Sequence, residues 1–150
     1  FIQIKSNKLP FLDNEFDFVI SSHVIEHVEN FEFFINELER ISKKGYIEIP
    51  TSLEDNLVFE NKNDHLWHIK FDDDKKKLLI SKKIQIIEPI LTVSSSQKLR
   101  EYFRDSLVIE LFWENSIEYS INKNDNINYK KISLFNLFRK FLSKKIRNLF

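Results

Sequence analysis

Cysteine, methionine and alanine are absent from the 150-residue chain, and glycine occurs once, at Gly45. Without cysteine, the chain cannot form a disulfide, a thiolate metal site or a cysteine nucleophile. With a single glycine, it cannot build a glycine-rich phosphate loop or a dinucleotide-binding turn. No run of 18 uncharged apolar residues occurs, so the sequence predicts no transmembrane helix. The 42% of hydrophobic residues is nevertheless enough for the core of a single domain.

Charge of one sign is not in excess either, because 23 Lys and Arg balance 23 Asp and Glu. We therefore expect no nucleic-acid partner. The balance hides a local excess, since residues 126–150 carry seven basic residues and no acid, against 16 basic and 23 acidic residues in 1–125. Apolar residues recur at helical spacing within 131–150, which predicts a basic amphipathic helix. Such a helix either packs on its own domain with a solvated basic rim or contacts an anionic membrane.

The chain begins with Phe1 and contains no Met. We expect it to be the C-terminal part of a longer protein. We also expect a cytoplasmic location, with peripheral membrane contact through 131–150 as one option. The oligomeric state is left open.

The first third of the sequence predicts a strand, a helix and a second strand. Residues 16–20 form a short apolar run that is typical of a parallel strand buried on both faces. Asn30 can cap a helix over 31–41, with Glu37, Glu39 and Arg40 directed outward. Two lysines and Gly45 predict the end of that helix, and 46–50 predicts the second strand. This order favours a parallel βαβ unit.

The remainder of the sequence predicts shorter elements. Residues 51–65 are polar and rich in Asn and Asp, which predicts a long loop of the kind that often serves as a functional lid. The strands 68–71 and 77–81 are predicted to form a hairpin, and 97–104 a short helix. Two further strands are predicted over 107–113 and 116–121, and a final helix over 131–150. We divide the chain into a domain over 1–122 and a polar linker with the basic helix over 123–150.

Two pairs of histidines are candidate metal-binding or catalytic residues. His23 and His27 flank Glu26 in the pattern H-x-x-E-H, which can bind zinc when a helix places both imidazoles on one face. A zinc hydrolase would need a further carboxylate ligand downstream. His65 and His68 lie beside Trp67, where they can contact substrate or act as a general base, or simply be solvated while the indole packs inward.

A longer stretch resembles a known family. Residues 9–28 read L-P-F-L-D-N-E-F-D-F-V-I-S-S-H-V-I-E-H-V, and K-G-Y-I-E-I-P follows the predicted helix at 44–50. This stretch is similar to the middle of class I S-adenosylmethionine-dependent methyltransferases of the small-molecule "type 11" kind. The resemblance implies an α/β fold with a Rossmann-like sheet, truncated at the N-terminus, with 16–20 as its fourth strand and 46–49 as its fifth. Antiparallel C-terminal strands and the terminal basic helix would complete it.

The resemblance also implies a cofactor site. Ser21, Ser22 and His23 would lie at the carboxyl end of a central strand, where open α/β sheets bind ligands. There they would contact the methionine moiety of S-adenosylmethionine and the methyl group that is transferred. The family's Gly-rich loop and its acidic ribose-binding residue are not found in this sequence, so we expect the 150-residue chain alone to be inactive.

The implied reaction is methyl transfer from a sulfonium to a nucleophile of a small molecule or of a glycan or lipid precursor. His27, His65 and His68 are the candidates for the base that takes the acceptor's proton. No resident metal is expected. Some metal-assisted O-methyltransferases carry E-x-x-E-H on this helix, so an ion held by His23, Glu26 and His27 is a minor variant.

The sequence is compatible with two other functions. The chain can be a non-catalytic remnant or a membrane-surface interaction module without a cofactor. More remotely, it can be a zinc hydrolase that uses the H-x-x-E-H segment.

Overall fold

The computed structural model describes residues 8–122 and 131–147 as a mixed α/β structure with two small sheets. The strands are β1 (Val19–Ser22), β2 (Lys44–Pro50), β3 (Trp67–Asp72), β4 (Lys77–Lys82), β5 (Val108–Glu114) and β6 (Tyr119–Asn122). The α-helices are α1 (Phe31–Ile41), α2 (Ser52–Leu57), α3 (Asn61–Asp64), α4 (Val93–Leu107) and α5 (Leu134–Arg147), and Ile25–His27 forms a 3₁₀ turn. The sheet orders are β1-β2-β5 and β3-β4-β6.

The predicted parallel βαβ unit is confirmed. β1 pairs in parallel with β2, with Val19 opposite Gly45, and α1 lies between the two strands in sequence. The Asn30 side chain caps α1 by accepting a hydrogen bond from the Phe33 N–H at 3.0 Å. Because the two strands are parallel, their carboxyl ends lie at the same edge of the sheet.

The predicted burial of 16–20 on both faces is wrong. Phe18 is 46% exposed and Ile20 is 67% exposed, whereas Ser21 on the opposite face is buried. Among the described residues β1 pairs only with β2, so one edge of β1 has no strand beside it. The regular strand also begins later than predicted, at Val19.

Glu37 was predicted to point outward but is buried. Its carboxylate accepts hydrogen bonds from Arg40 Nε at 2.7 Å and from the Leu9 N–H at 2.7 Å. The hydrogen bond from Arg40 holds the pKa of Glu37 below its ordinary value. Arg40 also donates to the carbonyl oxygens of Leu9 and Phe11, so this ion pair fixes the segment before β1 against α1.

The loop predicted over 51–65 contains two short helices, α2 and α3. Thr51 caps α2 by accepting a hydrogen bond from the Glu54 N–H. Buried Asn56 accepts the Ile86 N–H at 2.6 Å and donates to the Ser52 carbonyl at 2.9 Å. The side chains that favour a loop in isolation therefore act here as caps and cross-links.

The predicted hairpin is confirmed as β3 and β4, which pair antiparallel. The helix predicted over 97–104 is the centre of α4, which is longer and has a non-helical backbone at Phe103. The strands predicted over 107–113 and 116–121 correspond to β5 and β6. They join different sheets, with β5 antiparallel to β2 and β6 parallel to β4.

One apolar cluster unites the two sheets. It draws on α1, on the 3₁₀ turn and on strands of both sheets, and its buried members are Ile25, Phe31, Ile35, Leu38, Ile47, Ile49, Ile69, Leu78, Ile80, Trp113 and Ile117. The alternation of buried and half-exposed residues along β2 is the period expected for a strand with one face on a core.

The predicted terminal helix is present as α5, and none of its residues is buried. Among the described residues, no helix has the length and apolarity needed to span a bilayer. The linker at 123–130 lies outside the described residues, so the division into 1–122 and 123–150 stays a prediction.

The single glycine has a different role from the predicted one. The backbone of α1 ends at Ile41 and Gly45 lies within β2, so it is not the residue that stops the helix. A Cβ at Gly45 would lie 2.6 Å from the Val19 carbonyl oxygen and 2.6 Å from Trp113 Nε1. Only glycine lets β2 pass between these two groups without displacing a neighbour.

We predict that Gly45→Ala destabilises the fold by roughly 1–3 kcal/mol, the cost of overpacking a closed site. Lys44→Ala, on the adjacent exposed position of β2, is the matched control and should change the free energy of unfolding by about 0.5 kcal/mol or less. Urea unfolding of both variants measures the difference. Equal stability of the Gly45→Ala and Lys44→Ala variants would contradict the prediction, because it would show that β1 and Trp113 move to accommodate a Cβ at no cost.

Candidate functional site

Three side chains predicted to contact a cofactor follow one another at the carboxyl end of β1. Ser21 is buried, and its Oγ has no hydrogen-bond partner in the described structure. Ser22 is exposed and donates to Glu48 Oε1 at 3.1 Å. His23 has a φ of 51°, which turns the chain sharply away from the sheet, and its N–H donates to the Glu48 carbonyl at 2.9 Å.

The His23 ring is held from three sides. Arg100 Nη1 lies 2.9 Å from Nε2, and since a guanidinium only donates, Nε2 is the acceptor. The ring proton is then on Nδ1, which lies 3.3 Å from Glu26 Oε1. Glu48 Oε1 lies 3.2 Å from the same Nε2, so a second proton on the ring would pair with Glu48 at the expense of Arg100.

Arg100 reaches His23 from α4 because a buried carboxylate fixes it. Its Nε donates to Glu54 Oε1 at 2.8 Å, and Glu54 is 1% exposed. Ser96 donates to the same oxygen. These bonds join α2 to α4 beside Arg100, whose guanidinium extends from α4 to His23.

A cavity of about 350 Å³ opens beside His23. The polar side chains of its wall include His23, His27, Asp64, His65, Gln97 and Arg100. The structure thus brings together three of the four histidines, which the sequence places in two separate pairs.

His27 and His65 face one another in this cavity. Their ring centroids lie 4.4 Å apart at 87°, an edge-to-face contact. His27 Nδ1 lies 2.9 Å from the Asp64 carbonyl oxygen, and because that oxygen only accepts, Nδ1 carries the proton. In the neutral ring, Nε2 of His27 therefore holds the lone pair.

His65 is oriented in the same way by a buried carboxylate. Its Nδ1 lies 2.5 Å from Oδ1 of Asp55, which is 1% exposed. This contact places a proton on Nδ1, so the neutral ring has its lone pair on Nε2, as in the His–carboxylate pairs that orient catalytic or ligating imidazoles. The Leu66 N–H donates to the Glu26 carbonyl at 2.8 Å, which fixes His65 beside the 3₁₀ turn that carries His27.

His68 is not part of the cavity wall. It is buried, and its Nε2 lies 3.8 Å from Asp55 Oδ2, on the far side of the carboxylate that holds His65. Burial lowers the pKa of His68 to about 4, although the charge of Asp55 opposes the change. His68 is therefore neutral at physiological pH, and its role as acceptor base stays a prediction that the geometry favours less than that of His27 or His65.

The H-x-x-E-H segment does not place its two histidines on one ion. Only three residues, Ile25–His27, form a helical turn, and the left-handed backbone of His23 sends its ring toward Arg100 rather than toward His27. Within the described residues, the group that could hold a metal is Glu26, His27 and His65, with one ligand atom from each lying within 4.8 Å of the others.

Glu48 links the site to an ion-pair network on β2 and β5. Burial raises the pKa of Glu48, but hydrogen bonds from Tyr46 and Ser22 and the charge of Arg104 outweigh it, so the pKa is lowered overall. Hydrogen bonds from Arg104 and Tyr46 lower the pKa of Glu110 to about 2. Both carboxylates are charged at neutral pH, so Ser22 has a fixed anion beside it.

Sequence reasoning missed Asp55, Arg100 and Glu48 as members of the site. Each is ordinary in its local context, and Arg100 meets His23 across 77 positions of sequence. For Asp55, the one local signal is the Asn- and Asp-rich composition of 51–65, which equally predicts a solvated loop.

A larger cavity of about 470 Å³ contains none of the predicted site residues. Its wall includes Glu29, Phe31, Glu32, Trp67 and Ile121. It offers apolar surface but no imidazole, so the smaller cavity is the better candidate for chemistry.

Residues 1–47 match the family model described as a methyltransferase domain, which covers 47 of the 150 residues. The match confirms the resemblance to class I S-adenosylmethionine-dependent methyltransferases and includes β1, His23, His27 and α1. Members of this family use S-adenosylmethionine as the methyl donor. No curated protein matches the chain significantly.

We predict that His68 makes the stability of the fold depend on pH. Its pKa is about 4 in the folded state and about 6.5 when unfolded. The unfolded chain therefore binds an extra proton below pH 6.5, and stability falls between pH 6.5 and 4 by on the order of 3 kcal/mol. His68→Gln should remove this part of the slope.

Urea unfolding at several pH values measures that slope, and the His68 ring resonances give an independent reading. The ring should stay neutral down to about pH 4. A ring that titrates near 6.5 would contradict the buried environment described for it.

Proposed function

We propose that the chain serves S-adenosylmethionine-dependent methyl transfer to a small molecule, with the cofactor at the carboxyl end of β1 and the acceptor in the histidine cavity. The family match over residues 1–47 supports the reaction class. The observation that carries the assignment of the site is that His23 directly follows β1 and also forms a wall of the cavity. The methyl donor and the methyl acceptor would then bind on either side of His23.

The residues at the β1 edge fit a polar ligand. Ser21 Oγ is buried without a hydrogen-bond partner, which is a costly state that a bound polar group would relieve. Ser22 and the left-handed His23 continue the same edge, where α/β sheets bind their ligands. When bound there, S-adenosylmethionine supplies an electrophilic methyl group.

The cavity residues suit the binding of an acceptor that carries O–H or N–H groups. Nε2 of His27 and of His65 would each accept a hydrogen bond from it, and Asp64 and Asp55 hold the two rings in the tautomer that this requires. Alignment of a lone pair with the transferred methyl is the main requirement of such a reaction. His27, the more exposed of the two rings, would take the acceptor's proton.

The polar lining favours a hydroxyl-rich acceptor over an apolar one. Asn61, Asp64, Gln97 and Arg100 surround the histidines, and Val93 is the one aliphatic side chain of the lining. A glycan or a glycan-lipid precursor presents the hydroxyls that such groups bind. This choice of acceptor is the finer part of the proposal.

The arrangement of strands supports a Rossmann-like methyltransferase sheet as the parent fold. β1 and β2 would be its fourth and fifth strands, and β5, which is antiparallel to β2, would be one of its antiparallel C-terminal strands. The open edge of β1 and the exposed Phe18 and Ile20 suit a sheet that continues beyond β1.

We further propose that α5 rests on an anionic membrane surface, which would place a cytoplasmic enzyme near a lipid-linked acceptor. Its apolar residues are exposed, with Phe135 at 75% and Phe138 at 59%. The described residues 131–147 carry six basic residues and no acid. Apolar exposure combined with charge of one sign matches the acyl boundary and the anionic headgroups of such a surface.

We predict that S-adenosylmethionine, titrated into the isotope-labelled chain, shifts the amide resonances of Ser21, Ser22 and His23 first. Weak binding is sufficient for this measurement, because the spectra report on fast exchange. Ser22→Ala should weaken the response, since it removes the exposed hydroxyl at the proposed cofactor edge.

Ser116→Ala, an exposed serine on the turn after β5, is the matched control and should leave the titration unchanged. Shifts confined to another surface, or none at millimolar cofactor, would remove the basis for the site.

We predict that the chain binds vesicles of phosphatidylcholine with phosphatidylserine and does not bind vesicles of phosphatidylcholine alone. Lys140→Gln with Lys144→Gln should weaken binding by roughly 30-fold, from about 1 kcal/mol for each charge. Lys75→Gln with Lys76→Gln, in the β3–β4 turn, removes the same charge elsewhere and should have little effect. Equal losses in both double variants, or binding that ignores added salt, would contradict contact through α5.

A further inference from the structure

We propose that Glu26, His27 and His65 bind a divalent transition-metal ion of the zinc class. One potential ligand atom from each of the three residues lies within 4.8 Å of the others. Zinc bonds to such atoms at about 2.0–2.2 Å, so the three ligand atoms would move closer together to share one ion. Two histidines and a glutamate form a ligand set that leaves a coordination position open.

Nε2 is the nitrogen that each ring can offer to an ion. His27 Nδ1 donates to the Asp64 carbonyl and His65 Nδ1 donates to Asp55, so the neutral form of each ring has its lone pair on Nε2. Outer partners of this kind, a carbonyl and a carboxylate, are those that orient histidines in metal sites and raise their basicity.

The buried carboxylate of Glu26 is an independent observation that points to a cation. Glu26 is 0% exposed, and its Oε2 has no hydrogen-bond partner among the described residues. His23 Nδ1 reaches only the other oxygen, Oε1. A buried, unpaired carboxylate oxygen is costly, and a bound cation beside it offsets that cost.

A backbone hydrogen bond joins the two segments that carry the three ligands. The Leu66 N–H bonds to the Glu26 carbonyl at 2.8 Å, which fixes the residue after His65 to the 3₁₀ turn that carries the other two ligands. His27 and His65 both line the 350 Å³ cavity, so the open coordination position would face it. In the metal-bound form an oxygen of the acceptor would bind the ion instead of the two ring nitrogens, so His27 is a ligand in that form and the proton acceptor only in the metal-free form.

This inference concerns the cavity of the proposed function but can fail separately, because it is tested with the metal alone. The full chain, stripped with a chelator, is titrated with Zn²⁺ and with Mg²⁺ by calorimetry. One equivalent of Zn²⁺ should bind, and Mg²⁺ should not compete, because imidazole ligands favour zinc over magnesium. The Nε2 resonances of His27 and His65 should shift on addition of Zn²⁺, whereas those of His23 and His68 should not.

Variants separate this site from the H-x-x-E-H alternative. His65→Ala and Glu26→Gln should abolish stoichiometric Zn²⁺ binding, and Asp55→Asn, which removes a positioning carboxylate, should weaken it by 10- to 100-fold. Glu29→Gln, an exposed glutamate three residues after Glu26, is the matched control and should retain the wild-type affinity. His23→Asn removes the other histidine of the segment and should still bind one equivalent of Zn²⁺. Unfolding curves confirm that each variant folds.

Loss of binding in His23→Asn with retention in His65→Ala would overturn the assignment. Weak binding that survives in every variant would overturn it as well. If Zn²⁺ binding fails while the cofactor titration succeeds, the metal site falls and the proposed methyl transfer stands.

Discussion

The candidate site depends on one joint between two parts of the chain that are far apart in sequence. The Leu66 N–H bonds to the Glu26 carbonyl, and the His27 ring bonds to the Asp64 carbonyl, so the turn after β1 and the start of β3 are fixed together. The His27 and His65 rings meet beside this joint, and both line the cavity.

Polar contacts around the joint are few but buried. Asp55, Glu54 and Glu26 are each nearly inaccessible, and each directs one functional side chain, namely His65, Arg100 and His23. In a low-dielectric setting such carboxylates act as rigid supports, because leaving them unpaired is costly. The chain thus builds a polar site inside an aliphatic core without cysteine and with a single glycine.

Local patterns in the sequence predicted those elements that local forces determine. The Asn30 cap, the amphipathic α1, the hydrophobic β2 and the β3–β4 hairpin depend on residues a few positions apart, and all were confirmed. Residues 51–65 were predicted as a loop because Asn and Asp favour turns, yet Thr51 and Asn56 convert that tendency into caps and cross-links. The sequence predicts an exposed Glu37 because charged side chains are usually exposed. Its carboxylate is buried instead, because it forms an ion pair with Arg40.

The composition of the site was harder to predict than the fold. His23 and His27 drew attention because they are close in sequence, but the left-handed backbone at His23 separates their rings. His27 instead meets a histidine 38 positions later, and Arg100 arrives from α4. A single sequence does not contain the register that brings these elements together. The family resemblance over the first third could locate only the β1 edge.

The two short helices beside the cavity have a consequence for ligand binding. α2 has six residues and α3 has four, both are rich in Asn and Asp, and neither would hold its shape as a free peptide. Their shape therefore depends on contacts with the rest of the fold, such as the bond from Arg100 of α4 to Glu54 of α2. Because α3 carries Asp64 on the cavity wall, a molecule bound in the cavity would add to the contacts that hold this helix and would thereby stabilise the whole fold.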